Sequence, residues 1–377
     1  MSAFSDLAFQ AAMAAYIVAL VCYGIELASR RAQVPTALEA VSAGRRSGAP
    51  GDTMLLTDPA DRPDEALNGA DARFAAAVPD PAADADADDD GPTRPLLPWG
   101  VRFGRAAVLV TVVGLLANLV SVVSRGLAAG RLPLGNMYEF TSGFCCIAVG
   151  CWLVVLIKTG ARPLGLFVMS PVVILAFLAG TVLWVPAGPV VPSLNSYWKW
   201  IHVTTVSASG SVLLVSGAAS AMYLLRHRYD RRLSAAGDVT ADSLRSKDSL
   251  RLEEALRLEQ ALGLRESVWS KLPSLPVLDK IAYRTAIVAF PVYTFAIIAG
   301  ALWAEAAWGR YWGWDPKETV AFVSWVFYAG YLHARATSGW RGVRSAWVNV
   351  LGFAAIVFNL FFVNMVVTGL HSYAGLG

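Results

Sequence analysis

The sequence predicts an all-α polytopic membrane protein with about eight transmembrane helices and both termini on the outer, extracytoplasmic side. Three observations carry this. Of the 377 residues, 56% are apolar and only 16% are charged, against roughly 45–50% and about 25% in a soluble domain. The charges are clumped: positions 29–105 and 226–284 hold most of them, while long stretches hold none. The basic residues also divide unequally between alternate loops. These features exclude a soluble enzyme, a nucleic-acid binder and a wholly disordered chain. The net charge of +3 comes from uneven loops and says little about partners.

A bilayer-spanning helix needs about 20 mostly apolar residues. Eight stretches qualify, near 5–28, 105–124, 136–157, 164–185, 202–225, 284–303, 318–334 and 346–370. Residues 1–31 form the first unit, and Asp6 is the only charge before Glu26. Without a basic leader it reads as a retained helix, not a signal peptide. Residues 32–98 are rich in Ala, Asp, Pro and Gly and end in DPAADADADDDGP. Such a segment cannot bury enough apolar surface to offset its ordering entropy, which predicts a disordered acidic cytoplasmic loop. Residues 99–225 hold spans two to five. A second cytoplasmic loop, 226–283, carries SLRLEEALRLEQALGL from Ser249 to Leu264. Its leucines at helical spacing predict an amphipathic helix against the inner leaflet or a partner. Residues 284–377 hold spans six to eight.

With the N-terminus outside, the loops near 29–105, 158–163, 226–284 and 335–344 lie in the cytoplasm and hold 26 of the 31 Lys and Arg. Only Arg125, Arg131, Lys199, Arg310 and Lys317 remain outside, as the positive-inside rule requires. Cys22, Cys145, Cys146 and Cys151 all fall within spans and form no C-x-x-C. No disulfide scaffold, thiol metal site or thiol chemistry is expected of them.

The chemistry concentrates outside. Trp303, Trp308, Trp312 and Trp314 fall within twelve residues of one outer loop, WAEAAWGRYWGWDPKE, part of a segment at about 303–318. An interfacial aromatic belt should serve both membrane faces, so this one-sided cluster suggests a surface for a large flat apolar ligand. Asp315, Pro316 and Glu318 make a capping box that opens span seven. Asn136 and Glu139 repeat the arrangement at span three. Arg310, Lys317 and Lys199 are rare outer cations that suit either porphyrin propionates or lipid phosphates. His202, in SYWKWIHV, and His371, in TGLHSYAG, stand at the outer ends of spans five and eight. Two imidazoles at one depth beside the Trp loop suit a haem iron held between packed helices. His333 lies about 22 Å deeper along span seven and cannot share that site. It reads equally as an interfacial residue or a second ligand position. His227, in RHRYD, reads as a solvated loop residue.

The run from Trp303 to Arg335 resembles the tryptophan-rich WWD signature of the haem-handling proteins of c-type cytochrome maturation. The WDPKE ending, LPLGNMYEF and the terminal NMVVTGLHSYAG resemble the CcsA/ResC branch, over about residue 105 to the C-terminus apart from the cytoplasmic loop. The resemblance implies that His202 and His371 are the two external ligands of haem b and His333 the transmembrane histidine. Trp303, Trp308, Trp312, Trp314 and Asp315 would then form the haem platform. It implies a multi-pass protein of the cell membrane with an extracytoplasmic active face. It further implies a CcsB/ResB-type partner, apocytochrome c with a Cys-x-x-Cys-His motif as client, and thiol-reducing pathway proteins. The implied activity is haem delivery and covalent attachment, as the haem-presenting subunit of a thioether-forming synthase. A haem exporter or chaperone without ligase activity would use the same residues. The acidic 32–98 insert is the main departure from the family pattern.

Overall fold

The computed structural model describes residues 2–30, 98–188, 196–246, 268–337, 339–363 and 367. Among them are eight α-helices and no strand: α1 (Ser2–Ser29), α2 (Pro98–Ala129), α3 (Met137–Thr159), α4 (Leu164–Thr181), α5 (Tyr197–Ser246), α6 (Leu275–Trp308), α7 (Pro316–Ala336) and α8 (Val343–Phe358). A 3-10 turn, Val268–Lys271, precedes α6, and α8 passes directly into a π-helical turn, Asn359–Val363. All the helices except α7, with α8 taken together with its π turn as Val343–Val363, are long and apolar enough to cross a bilayer on length and composition. Helix α7 falls short because Tyr, Ser, Gly and His interrupt its apolar residues and Lys317, Glu318 and Arg335 stand at its ends.

The surface is inverted relative to a soluble protein. Leu7, Leu109, Ile157 and Val288 are 63%, 65%, 83% and 64% exposed, while Ser5, Asn118, Glu139 and Asn349 are buried. Exposed apolar rows around a polar-containing interior are what lipid solvation selects. The chain is a multi-pass membrane protein.

Local sequence sets the helix ends. Asn136 caps α3 by accepting the Glu139 N–H at 2.9 Å, and Gly160 closes it in the left-handed conformation at φ 63°. Gly309 ends α6 in the same way, its N–H donating to the Glu305 carbonyl at 2.8 Å. Asp315, Pro316 and Glu318 form the expected capping box on α7.

The helices alternate in direction, so the starts of α1, α3, α5 and α7 share one end of the bundle with the ends of α2, α4, α6 and α8. Two close pairs, α1 with α2 and α5 with α6, are bridged by α3 and α4, while α8 lies against α7 and α5. Helix α6 presents Ala282, Ala286, Ala289, Ala296 and Ala299 inward at three- and four-residue spacing, which lets α5 approach closely. Hydrogen bonds add specificity where lipid offers no hydrophobic drive between helices. Ser216 Oγ donates to the Ala282 carbonyl at 2.7 Å, and Asn349 Nδ2 donates to Ser216 Oγ at 2.9 Å and Ser220 Oγ at 2.7 Å.

Three features differ from the sequence expectation. Helix α5 runs on to Ser246, through the start of the loop expected at 226–283, and α6 begins at Leu275. Charged residues mark where a helix leaves the apolar layer without ending it, so hydropathy locates the bilayer and not the cap. Glu139 does not complete a capping box with Asn136. Its carboxylate accepts the Gly135 N–H at 2.7 Å and pairs with Arg125 Nε at 3.2 Å and Arg131 Nη1 at 2.7 Å, while Arg125 also reaches Asp6 at 3.5 Å. Arg125 and Arg131 are thus structural ion-pair members. His227 is a helical residue of α5 whose ring lies parallel to that of Tyr223, 6.2 Å away, and not a loop residue. The amphipathic segment 249–264, the acidic segment up to residue 97 and His371 lie outside the described residues.

Candidate functional site

At the end of the bundle where α5 and α7 begin, a cavity of about 830 Å³, including its open mouth, lies between α5, α6, α7, the 309–315 loop and the π turn after α8. His202, Trp303, Tyr311, Trp312, Lys317 and Glu318 line it, together with Phe144, Tyr293, Asn359 and Leu360.

His202 sits in the second turn of α5, with Nδ1 2.7 Å from the Ala296 carbonyl oxygen of α6. A carbonyl only accepts, so Nδ1 carries the proton and Nε2 keeps its lone pair. This is the tautomer that a metal-binding imidazole adopts when its other nitrogen is anchored. Helix α6 leaves room for the ring only because residue 300 is glycine: a Cβ there would lie 2.7 Å from His202 Nδ1. Trp303, one turn on, is buried and stacks on the imidazole with centroids 5.9 Å apart and planes at 30°. Trp308 packs on Trp303 at 5.2 Å.

Beyond Gly309 the chain turns back toward α7. The Arg310 guanidinium folds back over Gly313 and occupies the space beside its Cα. Trp314 adopts φ 56°, a left-handed conformation rare for a bulky residue. Its ring is 66% exposed and stands edge-on to Trp312 at 5.8 Å and Phe322 at 6.3 Å. Non-glycine residues held this way cost about 1–3 kcal/mol and cluster at ligand clamps and switch regions. The Glu318 carboxylate accepts the Gly313 N–H at 2.8 Å and the Asp315 N–H at 3.2 Å. It therefore ties the Trp loop to the first turn of α7 while also facing the cavity.

The cavity thus brings together His202, Trp303, Trp312 and Lys317 from the sequence-derived set. Trp308, at the end of α6, and Arg310, Trp314 and Asp315 of the following loop do not line it. Lys199, one turn before His202, is buried with its ammonium 3.8 Å from the centroid of the Trp200 ring, also outside the lining. His333 is exposed on α7, about 24 Å along the helix from Lys317, on the row that carries Phe322 and Val326.

Sequence reasoning missed Tyr293, Tyr311 and Asn359. Tyr293 Oη donates to the Ala321 carbonyl at 3.2 Å and ties α6 to α7. Asn359 Nδ2 donates to the Lys317 carbonyl at 3.1 Å, while its Oδ1 is buried without a hydrogen-bond partner among the described residues. A lone Asn in the apolar run VFNLFF was the available signal, and π turns recur at functional sites. An aromatic wall, one imidazole lone pair and an ammonium in the lining suit a flat apolar ligand with a metal centre and carboxylate arms.

Residues 134–371 match the family model described as Cytochrome C assembly protein. The chain is 32% identical over 292 residues to "Cytochrome c biogenesis protein CcsA" of Parasynechococcus marenigrum (strain WH8102), a match covering 74% of this chain and 90% of the relative. It is 34% identical over 293 residues to the protein of that name from Prochlorococcus marinus (strain MIT 9313), covering 74% and 88%. For that of Porphyra purpurea the identity is 34% over 286 residues, covering 73% and 88%. With well over half of its length matched and most of each relative covered, the chain belongs to the cytochrome c assembly protein family.

Proposed function

We propose that this protein receives haem b in the His202 cavity, presents it on the extracytoplasmic face of the cell membrane and supports its covalent attachment to apocytochrome c. It acts with a CcsB/ResB-type partner, and thiol-reducing proteins keep the client's Cys-x-x-Cys-His cysteines reduced. The observation that carries this reading is the anchored His202 ring, whose free Nε2 borders an aromatic-walled cavity. His202 and His371 are the axial ligands. Trp303 and Trp312 bound the macrocycle, with Trp308, Trp314 and the Asp315 cap holding the loop around it. Lys317 meets a propionate, and Arg310 and Lys199 set the positive field beyond it. His333 serves a second position inside the membrane, completed by the partner. The excess of Lys and Arg in alternate loops supports placing the His202 end outside.

Attachment adds each cysteine S–H across a vinyl C=C: a C–S bond forms, the π bond is lost and the proton ends on the neighbouring carbon. No oxidant enters. The protein's task is to fix the vinyl edge against the thiols, and the client histidine can displace one axial imidazole to release the product.

The test is the absorption spectrum of the chain purified with its partner, together with haem staining of the client after denaturing electrophoresis. H202G should lose the low-spin spectrum and at least tenfold of client staining, and millimolar imidazole should restore part of both by refilling the vacated coordination position. Normal staining without imidazole would reject the ligand assignment. Haem binding with no stained client in a complete reconstituted system would leave an exporter and reject the ligase role.

A further inference from the structure

At the opposite end of the bundle, α5 and α8 enclose a second groove of about 1240 Å³, including its open side. We propose that this groove binds an anionic phospholipid, with the phosphate held by Arg228, Arg231 and Arg232 and an acyl chain laid against Leu225 and Trp347. Ala221, Leu224, Leu225, Arg228, Arg231 and Arg232 recur at three- and four-residue spacing and form one face of α5. The apolar half of that face lies toward the bundle and the basic half toward its end. Val343, Trp347 and Val350 form the facing row on α8. The groove therefore changes from apolar to cationic along its length, as a phospholipid changes from acyl chain to phosphate.

Charge selects the headgroup. No Asp or Glu lines the groove among the described residues. Arg226 is turned away and satisfied, with Nε 2.8 Å from Asp230 Oδ1 and Nη1 donating to the Ser270 and Leu272 carbonyls. Arg228, Arg231 and Arg232 are exposed and make no ion pair among the described residues. Three exposed guanidinium groups attract phosphate oxygens bidentately and repel a choline cation. Exposure selects a lipid over a soluble ligand. Trp347 is 54% exposed and Leu225 37%, and the apolar row continues to Leu351, 47% exposed, on the lipid-facing side of α8. Arg344, stacked 5.5 Å from the exposed Trp340 ring, extends the basic and aromatic border.

This assignment uses neither the haem reading nor the orientation of the chain. Native mass spectrometry of the full-length chain in detergent doped with equal phosphatidylglycerol and phosphatidylcholine should show phosphatidylglycerol adducts at least fivefold in excess. R228Q/R231Q/R232Q should remove that excess while keeping wild-type helicity by circular dichroism. In nanodiscs, brominated phosphatidylglycerol should quench tryptophan emission more than brominated phosphatidylcholine, and W347F should abolish the difference. The quenching arm uses folded wild type and decides the matter if the triple variant does not fold. Equal adducts of the two lipids, headgroup-independent quenching, or displacement of phosphatidylglycerol by an acidic peptide or by haem would each overturn the proposal. Absence of lipid selectivity in the wild type, with its His202 spectrum intact, would count against this groove alone.

Discussion

His202 and Gly300 work as a pair. The imidazole can donate to the Ala296 carbonyl only because residue 300 has no side chain, and the resulting tautomer leaves Nε2 free. G300A should improve local helix propensity, since an interior glycine costs roughly 0.5–1 kcal/mol relative to Ala, yet its new methyl group meets the ring. The expected outcome is unchanged helicity by circular dichroism with haem occupancy reduced at least fivefold. Occupancy equal to wild type would show that the ring position is not what fixes haem. His202 was legible in the sequence because histidines are scarce and this one opens an apolar helix among tryptophans. The dependence on Gly300 was not, because a glycine in an apolar run carries no sign of what approaches it from another helix. Tyr293 and Asn359 escaped notice for a related reason: each reaches the cavity through packing between distant segments. The Trp cluster was visible as a cluster, but its division into cavity-lining Trp303 and Trp312 and outward-turned Trp314 depends on backbone angles that composition does not encode.

Among the elements, α3 is held by its charges. Glu139 is fully buried between Arg125, 2% exposed, and Arg131, 13% exposed. Removing one member of a buried charge cluster costs about 3–5 kcal/mol because the survivors remain uncompensated. E139Q should therefore lower the unfolding midpoint in detergent markedly, read by fluorescence-detected size exclusion after heating. A midpoint within a degree of wild type would mean that water reaches the cluster. Helix α7 carries a different prediction. If His333 ligates haem in transit with the partner, H333A should reduce bound haem in the co-purified complex while leaving haem supplied from outside able to reach the His202 cavity. Equal occupancy by both routes would make it an interfacial residue. The existence of these helices was readable from apolar runs and their starts from Asn136, Asp315 and Glu318. The ends of α5 and α6 were not, since charge leaves a helix intact once it is out of lipid.

For the whole molecule, orientation is the first quantity to measure. The uneven Lys and Arg distribution predicts Arg310 outside and Thr240 inside. In intact cells an impermeant maleimide should label R310C and spare T240C, and the reverse labelling would turn the molecule over. The native cysteines lie in α1 and α3, well separated in sequence from either probe.

Helix α5 is one uninterrupted rod of 50 residues without proline. It carries His202 near one end and Arg228 about 39 Å further along the axis, at ~1.5 Å per residue. Pivoting such a rod through about 5° with the Arg228 turn as fulcrum sweeps the His202 turn through roughly 3 Å, more than the slack in a 2.7 Å hydrogen bond to Ala296. His202 and the basic groove therefore share one helix, so the position of the imidazole against Ala296 is tied to the position of the Arg228 turn.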